Sequence, residues 1–156
     1  MRSAFFPALA LAALLAAGFH AGAAEPEVSP AALEERVRGF LEAFIDPTQA
    51  PEEQARFFAE GADYYRFGPS SRREIIADIR RHVRRWPVRS YRLQDIEYVT
   101  HDPATDDVFV SYVVEFDVAN RKSKAHGRAT YGAVITDIHS DPQIGAIMER
   151  IAGSGR

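Results

Sequence analysis

The sequence predicts an α+β domain in which three N-terminal helices pack on a strongly curved, mostly antiparallel sheet. Apolar residues recur at helical spacing between residues 33 and 45 and again between residues 75 and 86. From residue 91 onward they alternate with polar residues, which is the spacing of β-strands. The chain has 156 residues, 46% of them hydrophobic and 26% charged, which is typical of a globular protein. Helices followed by strands within one domain define the α+β class.

The N-terminus indicates a secretory signal peptide over residues 1–24. A positive start is followed by an apolar run over residues 4–19 and by small residues at 21–23, the pattern that signal peptidase cleaves. We expect cleavage near Ala23 or Ala24 and a periplasmic or secreted bacterial protein. The alternative is that the leader is not cleaved. An uncleaved leader is the only route by which we expect the protein to contact a membrane. That alternative is disfavoured because the run is shorter than the roughly 20 apolar residues of a spanning helix.

Residues 25–156 are predicted to form a single domain with its core at about 30–151. The chain has no cysteine, which excludes disulfides, thiolate metal ligands and thiol catalysis. A domain of this size buries enough surface to be stable without disulfides. The net charge of −3 offers no general attraction for nucleic acid, so we expect no nucleic-acid partner.

Two helices are predicted before the first strand. Ser29 and Pro30 supply an N-cap and a proline at the first helical position, and the helix ends at Asp46. Its apolar face is Leu33, Val37, Phe40, Leu41, Phe44 and Ile45. Pro51 starts a short second helix that we expect to continue to Gly61.

A short aromatic strand over residues 62–67 is predicted to precede the third helix. Ser71 and Glu74 have the spacing of a capping box, and Pro87 ends the helix. Its buried face is Ile75, Ile76, Ile79, Val83 and Trp86. Six arginines between Arg72 and Arg85 lie outside that face and are interpreted as a solvated surface.

The second half of the chain predicts long antiparallel strands. Alternation over residues 91–98 changes phase near Asp95, which indicates a β-bulge. Residues 108–118 and 123–138 alternate over their whole length, and a last strand follows at 144–149. Strands of this length, one of them bulged, are expected to curl and to present a concave face to the helices.

Several of these segments carry a family resemblance. The passage RFFAEGADYYRFG, the helix SRREIIADIRRHVRRWP and the hairpin between Val108 and Ile138 are similar to nuclear transport factor 2-like domains. The stretch from DYY to RWP also resembles a subset found in exported bacterial proteins. The family includes ketosteroid isomerases, scytalone dehydratase and polyketide cyclases. The resemblance implies a cone-shaped roll, in which the helices close one side of the curved sheet. It implies no particular chemistry, because the fold supports enzymes, binding proteins and structural subunits.

The resemblance argues against isomerase chemistry. A gapless match to the isomerase pattern places Ala62, Tyr64 and Arg66 on the inward side of the strand, and the general base of the isomerases falls on Arg66. Arginine does not deprotonate in proteins and cannot act as that base. We therefore assign no catalytic residue. The candidates that remain are His82 and Asp78, one helical turn apart, where an aspartate could orient an imidazole; the alternative is a surface histidine.

A ligand site is predicted from tyrosines that share the inward side of their strands. Tyr64, Tyr91, Tyr112 and Tyr131 have the apolar phase, whereas Tyr65 has the opposite phase. Together with Trp86 and Arg66 they could line a pocket for a small anionic or aromatic ligand. The alternative is ordinary core packing, since tyrosine commonly fills a sheet face with its hydroxyl at the wet edge.

Two polar connections contain metal-ligating residue types but predict no metal. They hold His101, Asp102, Asp106 and Asp107, and Asp137, His139 and Asp141. These side chains could bind zinc or calcium only if the fold brings the two connections together. Turn formation explains the aspartates equally well, so we expect no metal and no other cofactor.

Three functions remain, of which non-catalytic binding of a small ligand or a protein partner is preferred. The second is a lyase or isomerase that uses the same cavity. The third is a structural subunit that dimerises through the outer face of the sheet, where Phe109 and Val113 occupy the polar phase of their strand.

Overall fold

The computed structural model of the protein describes residues 29–150; the predicted signal peptide and the last six residues lie outside the described residues. Three helices precede most of the sheet: α1 (Pro30–Phe44), α2 (Pro51–Gln54) and α3 (Arg72–Arg85). The five strands are β1 (Phe58–Tyr64), β2 (Val88–Asp102), β3 (Asp107–Ala119), β4 (Lys124–Thr136) and β5 (Gln143–Arg150). The predicted α+β class, with three helices on a curved and mostly antiparallel sheet, is confirmed.

The sheet has the strand order β1-β5-β4-β3-β2. Strand β1 pairs with β5 in parallel, and the other neighbours are antiparallel. Register shifts in β2 lie between Leu93 and Asp95 and between Ile96 and Tyr98. The first is the bulge predicted near Asp95, and the second adds to the local twist of this long strand. These irregularities curl the sheet around the helices.

The starts of α1 and α3 form as predicted. The Ser29 hydroxyl accepts a hydrogen bond from the amide of Ala32, at 3.2 Å. Ser71 and Glu74 form the reciprocal capping box, in which the Glu74 carboxylate accepts the Ser71 amide at 2.8 Å. Both caps satisfy amides that a helix start leaves unpaired, and each stabilises its helix by about 1 kcal/mol.

Strand β1 begins and ends earlier than predicted. The second helix is only four residues long, and after a 3₁₀ turn at Ala55–Phe57 the chain is already extended at Phe58. Gly61, with φ +74°, accommodates an irregularity in the pairing of β1 with β5. At its other end β1 stops at Tyr64, because Tyr65 has φ +50° and opens a 3₁₀ turn over Tyr65–Phe67. The predicted helix to Gly61 and the predicted strand to Phe67 are therefore wrong.

The core lies between the helices and the concave face of the sheet. Its members include Val37 and Leu41 of α1 and Ile75 of α3, all completely buried. The sheet contributes Phe58, Tyr64, Val108, Val110, Tyr112, Val114, Ala133, Ile135, Ile144 and Ile147. Within residues 29–150, none of the helices has both the length and the apolar character needed to cross a membrane.

Candidate functional site

Four tyrosines meet on the concave side of the sheet and are referred to here as the aromatic cluster: Tyr64, Tyr65, Tyr112 and Tyr131. Tyr112 and Tyr131 are direct partners on β3 and β4, and their rings stack with centroids 5.5 Å apart. The ring of Tyr65 makes edge contacts with the rings of Tyr64 and Tyr131, at centroid distances of 4.6 Å and 6.5 Å. Tyr112 is 1% exposed. Burial raises the pKa of all four phenols, so all stay protonated at physiological pH.

Tyr65 joins this cluster although its phase predicted the opposite orientation. Phase along the sequence translates into a face of the sheet only while the chain is a strand. Because β1 ends at Tyr64, the 3₁₀ turn directs Tyr65 back toward Tyr131. The available signal in the sequence was the Gly68-Pro69 pair, which places a turn only three residues further on.

The same turn overturns the orientation predicted for Arg66. This residue is exposed, and its guanidinium lies over the ring of Phe67, 5.4 Å from the centroid. The inward orientation is wrong because Arg66 belongs to the turn and not to β1. The position that the resemblance matched to a catalytic base therefore lies outside the concave face, and the identity of its side chain says nothing about chemistry inside.

Polar groups of α3 reach the aromatic cluster at one edge. The hydroxyl of Tyr64 donates to Asp78 at 3.2 Å, and the other oxygen of Asp78 accepts from Arg81 at 2.9 Å. Asp78 thus binds a tyrosine and an arginine, and within residues 29–150 no hydrogen bond joins it to His82. The predicted orientation of His82 by Asp78 is wrong, since each of the two side chains bonds a different partner.

His82 instead bonds the sheet. Its Nε2 lies 2.7 Å from the hydroxyl of Tyr91 on β2. Desolvation and the positive charge of Arg89 lower the pKa of His82, while the Asp78 carboxylate partly opposes that shift. The ring is therefore neutral at physiological pH, and its Nε2 can accept a hydrogen bond from the Tyr91 hydroxyl. The pair offers one donor and one acceptor without a net charge.

A second carboxylate lies near the same edge. The Tyr131 hydroxyl donates to Glu149 of β5 at 3.2 Å, and burial together with this carboxylate raises the pKa of Tyr131. The negative charge of Glu149 also opposes the lowering of the His82 pKa. Asp78, His82, Tyr91 and Glu149 are called the polar rim below. The rim surrounds tyrosine rings with hydrogen-bonding groups, which is the composition of a small-molecule site.

Tyr91 also lies at the edge of an open groove. The groove has a volume of about 350 Å³ and runs between the end of α1 and β2; it is lined by Glu42, Ile45, Asp46, Pro47, Tyr91, Arg92 and Leu93. A second, smaller cavity of about 280 Å³ lies further along the sheet, between the ends of β2, β3 and β4. The first volume is large enough for a small organic ligand.

Trp86 is separate from the aromatic cluster. It follows the last residue of α3, is half-buried, and its ring carries the Arg85 guanidinium at 5.3 Å from the centroid. Arg89 donates to its backbone carbonyl at 3.3 Å. Of the predicted ligand residues, Tyr64, Tyr112 and Tyr131 lie in the aromatic cluster. Tyr91 belongs to the polar rim, and Trp86 and Arg66 belong to neither group.

The fold also brings together the two polar connections that contain metal-ligating residue types. His101 at the end of β2, Asp106 before β3 and His139 after β4 form what is called the turn cluster. His101 Nε2 lies 3.0 Å and His139 Nδ1 lies 2.5 Å from the same oxygen, Oδ1 of Asp106. An approach of the two connections is the condition for a metal site, and three of their seven metal-ligating residue types meet it.

The outer face of the sheet exposes apolar side chains. Phe109 is 45% exposed and Val113 is half-buried, and Tyr98 and Met148 add exposed apolar surface. Tyr98 pairs with Ser111, and Ser111 with Gly132, which in turn pairs with Met148, so these residues form one row across four strands. Both residues predicted for a dimer surface thus lie on a partly apolar face.

Solved structures with the same fold support this description. No family model matches the chain, and none of the curated proteins matches it in sequence. Aln2 from a Streptomyces species superposes with a TM-score of 0.65 at 14% identity, over 78% of this chain and 91% of that one. ActVI-ORFA from Streptomyces coelicolor gives 0.62 at 12% identity, over 75% and 95%. A proposed scytalone dehydratase from Novosphingobium aromaticivorans gives 0.60 at 16% identity, over 81% and 88%.

At these identities the similarity establishes the fold. The chain has the cone-shaped nuclear transport factor 2-like fold, as its sequence resemblance implied.

Proposed function

We propose that the protein binds a small aromatic ligand at the polar rim and that it does so without catalysing a reaction. The observation that carries this proposal is the hydrogen bond between His82 and Tyr91, beside an open groove. An uncharged donor and acceptor held next to tyrosine rings suits a planar compound with a hydroxyl or carbonyl group. Carboxylates on the rim and the exposed position of Arg66 argue against an anionic ligand.

Ligand-induced changes in melting temperature test this proposal. Phenols, hydroxynaphthoquinones and aryl ketones form the panel. We expect at least one compound to raise the melting temperature of the wild type, and Tyr91→Phe and His82→Phe to remove the rise. Arg66→Ala is the matched control, because it changes an exposed residue next to the aromatic cluster, and it should respond like the wild type. A panel without any hit, or a rise that both rim variants retain, would contradict the proposal.

The alternative is a lyase or isomerase that uses the same site, and the His82–Tyr91 pair is the observation that favours it. Once a substrate replaces the hydrogen bond between the two side chains, the neutral imidazole can take a proton from a substrate carbon while the tyrosine donates to the neighbouring oxygen. Any compound that binds is then incubated with the protein and followed by mass spectrometry and by exchange of its hydrogens with D₂O. Conversion that His82→Gln abolishes would establish the enzyme, whereas binding without conversion or exchange supports the preferred proposal.

Export and self-association complete the proposal. The apolar leader over residues 1–24 supports export, and N-terminal sequencing of protein recovered from the periplasm should find a start near Glu25.

The exposed row that contains Tyr98 and Met148 supports a homodimer through the outer sheet face. Phe109→Asp should convert that dimer to a monomer in sedimentation experiments, and a monomeric wild type would contradict this part.

A further inference from the structure

The turn cluster has the composition and the arrangement of a metal centre. One donor atom from each of His101, Asp106 and His139 lies within 4.8 Å of the other two. Ligands bound to one zinc ion at about 2.0–2.2 Å stand roughly 3 to 3.5 Å apart. The observed separations from the shared Asp106 oxygen are 3.0 Å for His101, at the lower end of that range, and 2.5 Å for His139, below it. Small rotations of the two imidazoles would therefore open room for an ion between the three donor atoms.

Hydrogen bonds from two backbone amides hold Asp106 in place. Asp106 has φ +59°, and its carbonyl accepts the amide of Ile138, which is completely buried, at 3.2 Å. The second carboxylate oxygen, Oδ2, accepts the amide of His139 at 3.1 Å. Asp106 is thus oriented by one oxygen while the other faces both imidazoles. A carboxylate that ligates through one oxygen and is fixed by a hydrogen bond to the other is the usual outer-shell arrangement of protein metal sites.

The two imidazoles can ligate through the nitrogens that now face Asp106. Both rings direct a nitrogen at Oδ1 of this residue. A neutral imidazole carries its single proton on one nitrogen and a lone pair on the other. Ligation therefore uses the tautomers that carry the proton on Nδ1 of His101 and on Nε2 of His139. Nε2 of His139 is buried and has no hydrogen-bond partner within the described residues, so it is unpaired in either tautomer.

We propose that His101, Asp106 and His139 bind a first-row divalent cation, with Zn²⁺ as the representative ion. Two imidazoles and one carboxylate favour zinc and its neighbours over calcium or magnesium, which prefer oxygen ligands only. Three protein ligands leave a position for water. The ion would link the β2–β3 turn to the connection between β4 and β5, a cross-link that a chain without cysteine cannot make with a disulfide.

Calorimetric titration of Zn²⁺ into the tag-free, EDTA-treated protein tests this proposal. We expect one ion per chain, with affinity that millimolar Ca²⁺ leaves unchanged. Asp106→Asn and His139→Gln should each weaken binding at least tenfold, roughly the lower limit for losing even an outer-shell partner. His126→Gln is the matched control, because His126 is exposed on β4 and belongs to neither the rim nor the turn cluster. It should bind like the wild type.

A second readout keeps the result independent of variant folding. His101→Gln removes a ligand at the end of β2 without altering the Asp106 turn, and circular dichroism in EDTA checks that each variant is folded. Zn²⁺ should raise the melting temperature of the wild type and of His126→Gln but not that of folded His101→Gln. Wild-type protein without saturable zinc binding, or folded variants of the turn cluster that bind as tightly as His126→Gln, would overturn the proposal.

Discussion

The aromatic cluster and the turn cluster occupy different levels of the same sheet and are held in different ways. Tyr112 of the aromatic cluster lies on β3, and Asp106 of the turn cluster directly precedes that strand. The two are six residues apart, which is about 20 Å of extended chain. The tyrosines are stabilised by burial and ring contact, and the hydroxyls of Tyr64 and Tyr131 donate to carboxylates of the polar rim. The turn cluster is only partly buried and is held by hydrogen bonds to one carboxylate. The proposed ligand site and the proposed metal site can therefore be tested separately.

Replacing Tyr112 by alanine should produce the largest effect, because it removes a buried ring from the aromatic cluster. Its side chain is 1% exposed and stacks on Tyr131. Large-to-small changes of aromatic core residues cost about 3–5 kcal/mol. Urea denaturation should show this loss in the free energy of unfolding. Tyr112→Phe is the control that keeps the ring, and it should lose no more than about 1 kcal/mol. Equal losses in both variants would mean that the hydroxyl, and not ring burial, stabilises this region.

Replacing Asp106 by alanine should destabilise the other region by a smaller amount. The change removes the acceptor for two imidazoles and one backbone amide, and it places alanine at a positive φ. Hydrogen bonds to a charged group contribute roughly 1.5–3 kcal/mol, so we expect a loss of roughly 2 kcal/mol in EDTA. Ligand-induced melting shifts at the polar rim should remain. Their disappearance would show that the two regions are coupled, contrary to the comparison above.

The contrast also explains which parts were predictable from sequence. Alternation over β3 and β4 places Tyr112 and Tyr131 on the concave face, and their pairing follows from an uninterrupted hairpin. Capping residues likewise predicted the start of α3. These signals are local, because each depends on residues within one element or one hairpin.

Tyr65, Arg66 and the turn cluster could not be placed in this way. The orientation of Tyr65 and Arg66 depends on where β1 stops, and strand ends are set by pairing with β5, far along the chain. The turn cluster depends on the approach of His139 to Asp106 across 33 residues. Composition predicted metal-ligating residue types there, but the distance between the two connections is a property of the closed sheet.

Removing the Tyr64 hydroxyl should have a modest effect on the free energy of unfolding. The size of that effect separates the contribution of the polar rim from that of the aromatic cluster. Tyr64→Phe keeps the buried ring but leaves Asp78 with Arg81 as its remaining side-chain partner among the described residues. A single hydrogen bond contributes about 1 kcal/mol, so the free energy of unfolding should fall by about that amount. Asp78→Asn retains an acceptor for the tyrosine and serves as the matched variant. A loss as large as that of Tyr112→Ala would show that the rim, and not the rings, supports the cluster.

The smallest expected effect is a dependence of stability on pH that originates at His82. Desolvation and Arg89, with a further contribution from Arg85, lower the pKa of this histidine in the folded protein, while Asp78 and Glu149 oppose the shift. An unfolded histidine takes up its proton near pH 6.5. Stability is therefore complete above about pH 6.5 and is lost as the pH falls from there through the lower pKa of the folded ring.

Urea denaturation between pH 5 and pH 8 measures this dependence. His82→Phe should flatten the decline below about pH 6.5 relative to the wild type, because the unfolded chain then has one fewer group that takes up a proton. His126→Phe removes an exposed histidine and should leave the decline in place. An NMR titration of the imidazole protons assigns the group directly. A His82 resonance that titrates above pH 6.5 would show a charged ring beside Tyr91, and the neutral donor–acceptor pair assigned to the polar rim would then be wrong.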